Sequence, residues 1–235
     1  MGTVSNLVDA FVIEVAVGIV LLVLTIVFRR WIWAKILNVV YFITNSEIHL
    51  NAKRIETFKD IEDDIAVDSF ANSIFQQIKE GYRKEVTNPE YQGHRLEVKI
   101  ADIPADIVIK LEEEIEAAGM DLSPETVGYK LIIETENDLR LGYRSVDSLR
   151  QFENFAEEVS QIVRSEYFPE STSDTSSVQV ELKNGVPAGI DEIEDSELGL
   201  SASLRDSTLY MTFREPRNIV EGVRKYFQPR PFRPT

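Results

Sequence analysis

Ala10-Phe-Val-Ile-Glu-Val-Ala-Val-Gly-Ile-Val-Leu-Leu-Val-Leu-Thr-Ile-Val-Phe28 decides the architecture, because it offers no polar face to water. As a helix rising about 1.5 Å per residue it measures roughly 28 Å, close to the ~30 Å of bilayer hydrocarbon. Only Glu14, Gly18 and Thr25 interrupt it, and Glu14 lies one turn inside one end, where the interface or a proton relieves its charge. The stretch reads as a transmembrane helix over 10–28, and Glu14 as its one intramembrane polar group of interest.

The flanks set topology. Residues 1–9 carry no lysine or arginine, whereas Arg29, Arg30 and Lys35 follow the span. The positive-inside rule then puts the N-terminus outside and the rest of the chain in the cytoplasm. A cleaved signal peptide needs the opposite arrangement, positive charge before the apolar run and small residues after it. The myristoylation pattern fails at Asn6, where serine or threonine is required. Residues 29–45 hold Trp31, Trp33, Lys35 and Tyr41 in an apolar background too short to span, which suits a helix at the headgroup boundary. Packing of this helix on the soluble domain is the alternative.

Beyond Ser46 the periodicity alternates between helix and strand. Ile48 to Phe58 reads as a strand, and Phe70, Ile74, Ile78 and Tyr82 recur at helical spacing. Asn88-Pro89 breaks the chain. Leu96, Val98 and Ile100 alternate with charges as a half-buried strand. Pro104 opens a second helix, with Val108, Leu111, Ile115 and Ala118 on one face. Val127–Glu134 and Leu139–Arg144 form a hairpin around Asn137-Asp138. Ser145 caps a longer helix through Leu149, Phe152, Phe155, Val159 and Ile162, and Ser171 to Ser177 is a loop.

Several segments then recur in order. Leu96-Glu-Val-Lys-Ile100 matches Val178-Gln-Val-Glu-Leu182, and Ile103-Pro-Ala-Asp-Ile107 matches Val186-Pro-Ala-Gly-Ile190. Val127-Gly128 and Tyr143-Arg144 match Leu198-Gly199 and Phe213-Arg214, and Val67-Asp-Ser69 matches Val146-Asp-Ser148. The expected fold is therefore α+β: one transmembrane helix, then a mainly antiparallel domain of two degenerate repeats, 46–145 and 146–225. A cleft is expected where the halves meet.

Composition narrows function. The 235 residues hold 40 acidic and 25 basic side chains and no cysteine, a formal net charge of -15. Thiol chemistry, disulfides and thiolate metal sites are excluded. So is nucleic-acid binding, which needs a cationic surface. Such a charge suits a halophile, whose salt screens the self-repulsion.

Motifs for catalysis are lacking. His49 and His94 belong to no metal spacing, and Gly199-Leu-Ser-Ala-Ser203 lacks the last glycine of a nucleophile elbow. Phosphate-loop and dinucleotide fingerprints are absent. The acidic runs Asp60–Asp64, Glu112–Glu116 and Asp191–Glu197 do not fit an EF-hand and read as solvated surface, Glu112 to Glu114 on the wet side of a helix. No catalytic, metal or cofactor residue is assigned.

Charge by segment singles out the end of the chain. Residues 47–213 carry a net -20, whereas 214–235 carry +4. Residues 226–235 form an extended tail rich in proline, arginine and aromatics. Arg217, Arg224, Tyr226, Phe227, Arg230, Phe232 and Arg233 are thus the candidate partner contacts, being the residue types that dominate interface energetics. The expected partners are the lipid bilayer and another protein, met through this tail or the junction of the halves. A second copy of the chain is a further candidate. The function expected is a membrane-anchored adaptor or scaffold, with a membrane-acting effector or sensor as the alternative.

Overall fold

A computed structural model describes residues 36, 40, 47–59, 67–82, 86–116, 125–142, 145–169, 171, 173–183, 192–206 and 208–226. The proposed span 10–28 with Glu14, the interface residues Arg29, Arg30, Trp31, Trp33, Lys35 and Tyr41, and Phe227, Arg230, Phe232 and Arg233 lie outside them. Among the described residues no helix is long and apolar enough to cross a membrane.

Among the described residues ten strands form one sheet in which every pairing is antiparallel. They are β1 (Glu47–Lys59), β2 (Val86–Gln92), β3 (Arg95–Ile100), β4 (Asp106–Glu116), β5 (Glu125–Thr135), β6 (Leu139–Gly142), β7 (Ser173–Leu182), β8 (Glu192–Asp195), β9 (Leu200–Arg205) and β10 (Thr208–Phe213). Helices α1 (Val67–Tyr82), α2 (Asp147–Tyr167) and α3 (Ile219–Tyr226) complete the α+β domain, with a short 3-10 turn at Pro216–Asn218 leading into α3. The sheet order is β2-β3-β4-β5-β1-β7-β10-β9-β8, with β6 also on β1. Read outward from the β1–β7 seam, β1 is followed by β5, β4 and β3 with β2 as an additional edge strand, and β7 by β10, β9 and β8, each a meander met last strand first. This arrangement aligns β1 with β7, whereas the sequence correspondences align β3 with β7.

One face of the sheet is apolar and carries the helices. Ile48, Leu50, Ala52 and Phe58 of β1, Leu96 and Val98 of β3, and Val178, Val180 and Leu182 of β7 are all buried there. Phe70, Ile74 and Ile78 of α1 and Phe152, Phe155, Val159 and Val163 of α2 close over them. Both helices present these residues three or four apart, the spacing that makes one stripe. Phe168, just past α2, stacks on Phe58 with ring centroids 4.3 Å apart. The opposite face is a ladder of charges: Glu134 on β5 binds Lys53 on β1 at 3.2 Å and Lys110 on β4 at 2.5 Å. Those two ammonium groups, winning against burial, hold the Glu134 carboxyl below its usual range.

Four local expectations are corrected by this sheet. Asp106–Glu116 is strand β4, not a helix. Ile107-Val108-Ile109 is β-branched throughout, which disfavours helix, and Val108 is buried on the face opposite its neighbours, which blurs the period. Glu112 and Glu113 are accordingly exposed strand residues.

Asn137-Asp138 does not turn a hairpin, because β5 and β6 both pair with β1 (Lys53 opposite Glu134, Leu50 opposite Leu139). Two extra residues bulge out between them, and the Ala52 amide stranded by the bulge donates to the Thr135 hydroxyl at 3.1 Å. Asn88-Pro89 sits within edge strand β2 at a register shift, where a missing N–H is tolerated. Ser173–Ser177 belongs to β7 instead of a loop, since Thr57 down to Arg54 on β1 need a partner along their full length. Val186–Ile190, the second member of a sequence match, lies outside the described residues.

Helix α3 seats closely on the sheet because Gly222 has no side chain: a methyl there would overlap the Phe213 ring. Phe213 is fully buried and has nowhere to retreat. Gly222→Ala is expected to cost about 1–3 kcal/mol, the usual penalty of overpacking. Thermal denaturation beside Glu221→Ala, at an exposed position of the same helix, checks the cause.

Candidate functional site

The buried face of β1 changes character partway along. Alternation puts Ile48, Leu50, Ala52, Arg54, Glu56 and Phe58 on the helix-covered side, so two charges lie in an apolar row. Arg54 is 4% exposed and Glu56 0%. Arg54 donates to Glu56 Oε1 through Nε (3.0 Å) and Nη2 (2.6 Å), and through Nη2 to Glu157 Oε2 on α2 (2.5 Å). Arg164, two turns further along α2, donates to Glu56 Oε2 at 3.1 Å. The network is well paired save at Arg54 Nη1, which is buried with no hydrogen-bond partner.

Above this pair opens a groove of about 690 Å³, within the range of small-molecule sites. Strands β1 and β7 form its floor, α2 one wall, and Arg214 to Arg217 with Val220 the other. Arg54, Arg150, Arg164, Arg214 and Arg217 line it against Glu56, Glu153, Glu157 and Glu215. Five guanidinium groups gather in a strongly acidic chain. Ser176 on β7, opposite Glu56, also has a hydroxyl buried without a partner.

Burial pushes the Glu153 carboxyl up to about 7, with Glu157 adding to the rise and Arg54 opposing it. Glu157 itself, despite burial, is held below the usual carboxylate range by hydrogen bonds from Arg54 and Gln161. Guanidinium groups do not deprotonate. The arrangement is therefore suited to holding an anion and supplies no nucleophile–base pair among the described residues.

A second constellation fixes the end of α3. Asp195, buried at the end of β8, accepts from Lys225 Nζ at 2.7 Å and Tyr226 Oη at 2.6 Å. It also accepts the amides of Glu197 and Leu198 at 3.1 and 3.2 Å. Lys225 and Tyr226 hold its carboxyl well below the usual range. The acidic run there thus uses Asp195 internally, and among the described residues no group of three His, Asp or Glu side chains could hold a metal ion.

Of the candidate partner contacts, Tyr226 is tied to Asp195, Arg224 is exposed, and Arg217 is exposed while pairing with Glu215 at 2.7 Å on the groove rim. Arg217 and Tyr226 are not brought together: one lies at the groove, the other at the β8 edge. His49 lies 3.7 Å from Asp138, away from the groove, and His94 is exposed in a turn. Ser201 and Ser203 sit in β9, not on a strand-to-helix elbow.

No sequence motif marks Arg54, Glu56, Glu153 or Ser176. The signal available for the first two is their phase, charged residues falling where β1 otherwise buries apolar ones. Comparison with protein-family models, curated proteins and solved structures gives no match.

Proposed function

We propose that the chain is a single-pass membrane-anchored binding module, an adaptor or scaffold of a salt-rich cell with no reaction of its own. Its α+β domain faces the cytoplasm and its C-terminal arm engages a partner protein. The observation that supports this most is the pinning of Lys225 and Tyr226 to buried Asp195. An arm that starts from a fixed root loses less entropy on binding than one hanging from a frayed helix. Its net charge of +2, from Arg230 and Arg233, beside an acidic domain suits an acidic partner surface.

A ligand-responsive sensor that self-associates is the second reading. It is favoured by the groove's place on β1, the first described strand after the proposed juxtamembrane segment. The partner captured would then be a second copy of the chain.

The test is cross-linking and purification of the tagged full chain from alkaline-washed membranes. The wash is expected to leave the chain in the membrane, and a defined protein to co-purify. Recovery of that protein should fall at least about tenfold when residues 227–235 are removed, as when interface anchors are lost. Equal recovery would overturn the arm, and release by the wash would overturn the anchor.

A further inference from the structure

We propose that the groove over the β1–β7 seam binds a phosphate group carried by a small molecule, with Arg54, Ser176 and Arg214 donating to it. This does not depend on the anchor or the arm. Arg54 lies opposite Val178, and Val178 opposite Phe213, so the three stand abreast across β1, β7 and β10. Ser176 is two residues along β7 from Val178, and Arg214 follows Phe213 directly. All three residues line one cavity.

Their state asks for a ligand. Arg54 Nη1 and Ser176 Oγ are buried without partners, and a buried donor left unmade is costly. Arg214 is exposed and makes no ion pair among the described residues.

The chemistry favours phosphate over carboxylate. Arg54 has already spent Nε and Nη2 on the carboxylates of Glu56 and Glu157. What remains are single donors from three strands and their flanks, which suit a tetrahedral group with acceptors on several sides better than a planar one. Because carboxylates also line the groove, a monoanion gains little net attraction and a dianion gains more. Arginine, planar and always charged, is the side chain fitted to phosphate oxygens. The volume exceeds that of phosphate alone, so the rest of the molecule lies toward Pro216 and Val220. A soluble phosphomonoester and a lipid headgroup that ends in a phosphomonoester share this chemistry.

Glu153 makes the site responsive to pH. It faces Arg54 and Glu56 from β1, Arg150, Glu157 and Arg164 on its own helix, and Arg214, Glu215 and Arg217 across the groove. With its carboxyl raised to about 7, it gains a proton as pH falls through neutrality, and the groove loses one negative charge. A dianion is therefore held more tightly on the acid side.

Calorimetric titration of the full-length chain in uncharged detergent, at constant ionic strength, tests the site. Sulfate, which stays dianionic through the neutral range, is compared with acetate. Sulfate is expected to bind at least about tenfold more tightly, and Arg214→Ala to weaken it about tenfold, the loss of one charge-assisted hydrogen bond. Ser176→Ala should weaken it further by about threefold. Sulfate affinity should rise severalfold from about pH 8 to about pH 6 in the wild type and stay flat in Glu153→Gln.

Given binding, micelles doped with phosphatidic acid, whose headgroup is a phosphomonoester, identify the source: competition with sulfate assigns a headgroup, and its absence a soluble compound. Sulfate bound no better than acetate, or unaffected by Arg214→Ala in a folded chain, would overturn the proposal. Co-purification of a partner is independent of either result and still decides the binding-module reading.

Discussion

Arg54→Met is expected to remove about 3–5 kcal/mol of stability, the cost of leaving half of a buried ion pair behind. The reason lies in what Glu56 loses. It is 0% exposed on the central strand, and two of the three hydrogen bonds it accepts among the described residues come from Arg54. Methionine fills most of the volume but donates nothing. Glu157, the other partner of Arg54, is about half exposed and can turn to water. Arg164 remains on Glu56 alone.

Since domains of this size are held by roughly 5–15 kcal/mol in all, the loss takes a large share. It should appear as a fall in melting temperature of about 10 °C. The control is Arg217→Met, whose carboxylate partner Glu215 is exposed; such a surface pair is worth under about 1 kcal/mol. Molar salt should shrink the small effect and leave the large one, because buried pairs are poorly screened. Equal destabilisation by the two substitutions would show that the Arg54 network does not differ from a surface pair.

The same strand shows how far sequence carries. The period of two in Leu96-Glu-Val-Lys-Ile100 and Val178-Gln-Val-Glu-Leu182 leads directly to β3 and β7, and the helical stripes lead to α1 and α2. These elements bury one face, so pattern and environment agree. Strand β4 buries Val108 on one side and Ile107 and Ile109 on the other, and a two-sided strand has no alternation to read.

The bulge after Thr135 depends on a hydroxyl meeting an amide of β1, a contact 83 residues apart. Hydroxyl-rich Ser173–Ser177 is strand only because β1 lies beside it. The groove is of this second kind. Arg54 and Glu56 announce themselves by phase, but Ser176 and Arg214 reach them only through strand register. Tyr226 illustrates the converse: it has the composition of a contact residue, yet an aspartate far upstream holds it in place.

Replacing both charges should reverse the sign of the first effect. In Arg54→Met with Glu56→Leu no carboxylate is left behind, and Arg164 and Glu157, 44% and 49% exposed, can regain water. A buried pair exchanged for apolar side chains of similar volume is neutral or stabilising by about 1–4 kcal/mol, because two desolvation costs vanish with one attraction. The double variant is therefore expected to be as stable as the wild type or more so. Against the single variant the swing is roughly 4–8 kcal/mol, far beyond additive behaviour.

Sulfate binding should nevertheless be lost, since Arg54 Nη1 is gone from the groove floor. A chain that becomes sturdier and stops binding would show that the pair is retained for the ligand at a cost to the fold. Should the double variant instead unfold with the single one, the charges would be structural, holding α2 onto β1, and the unpartnered nitrogen a by-product of that packing.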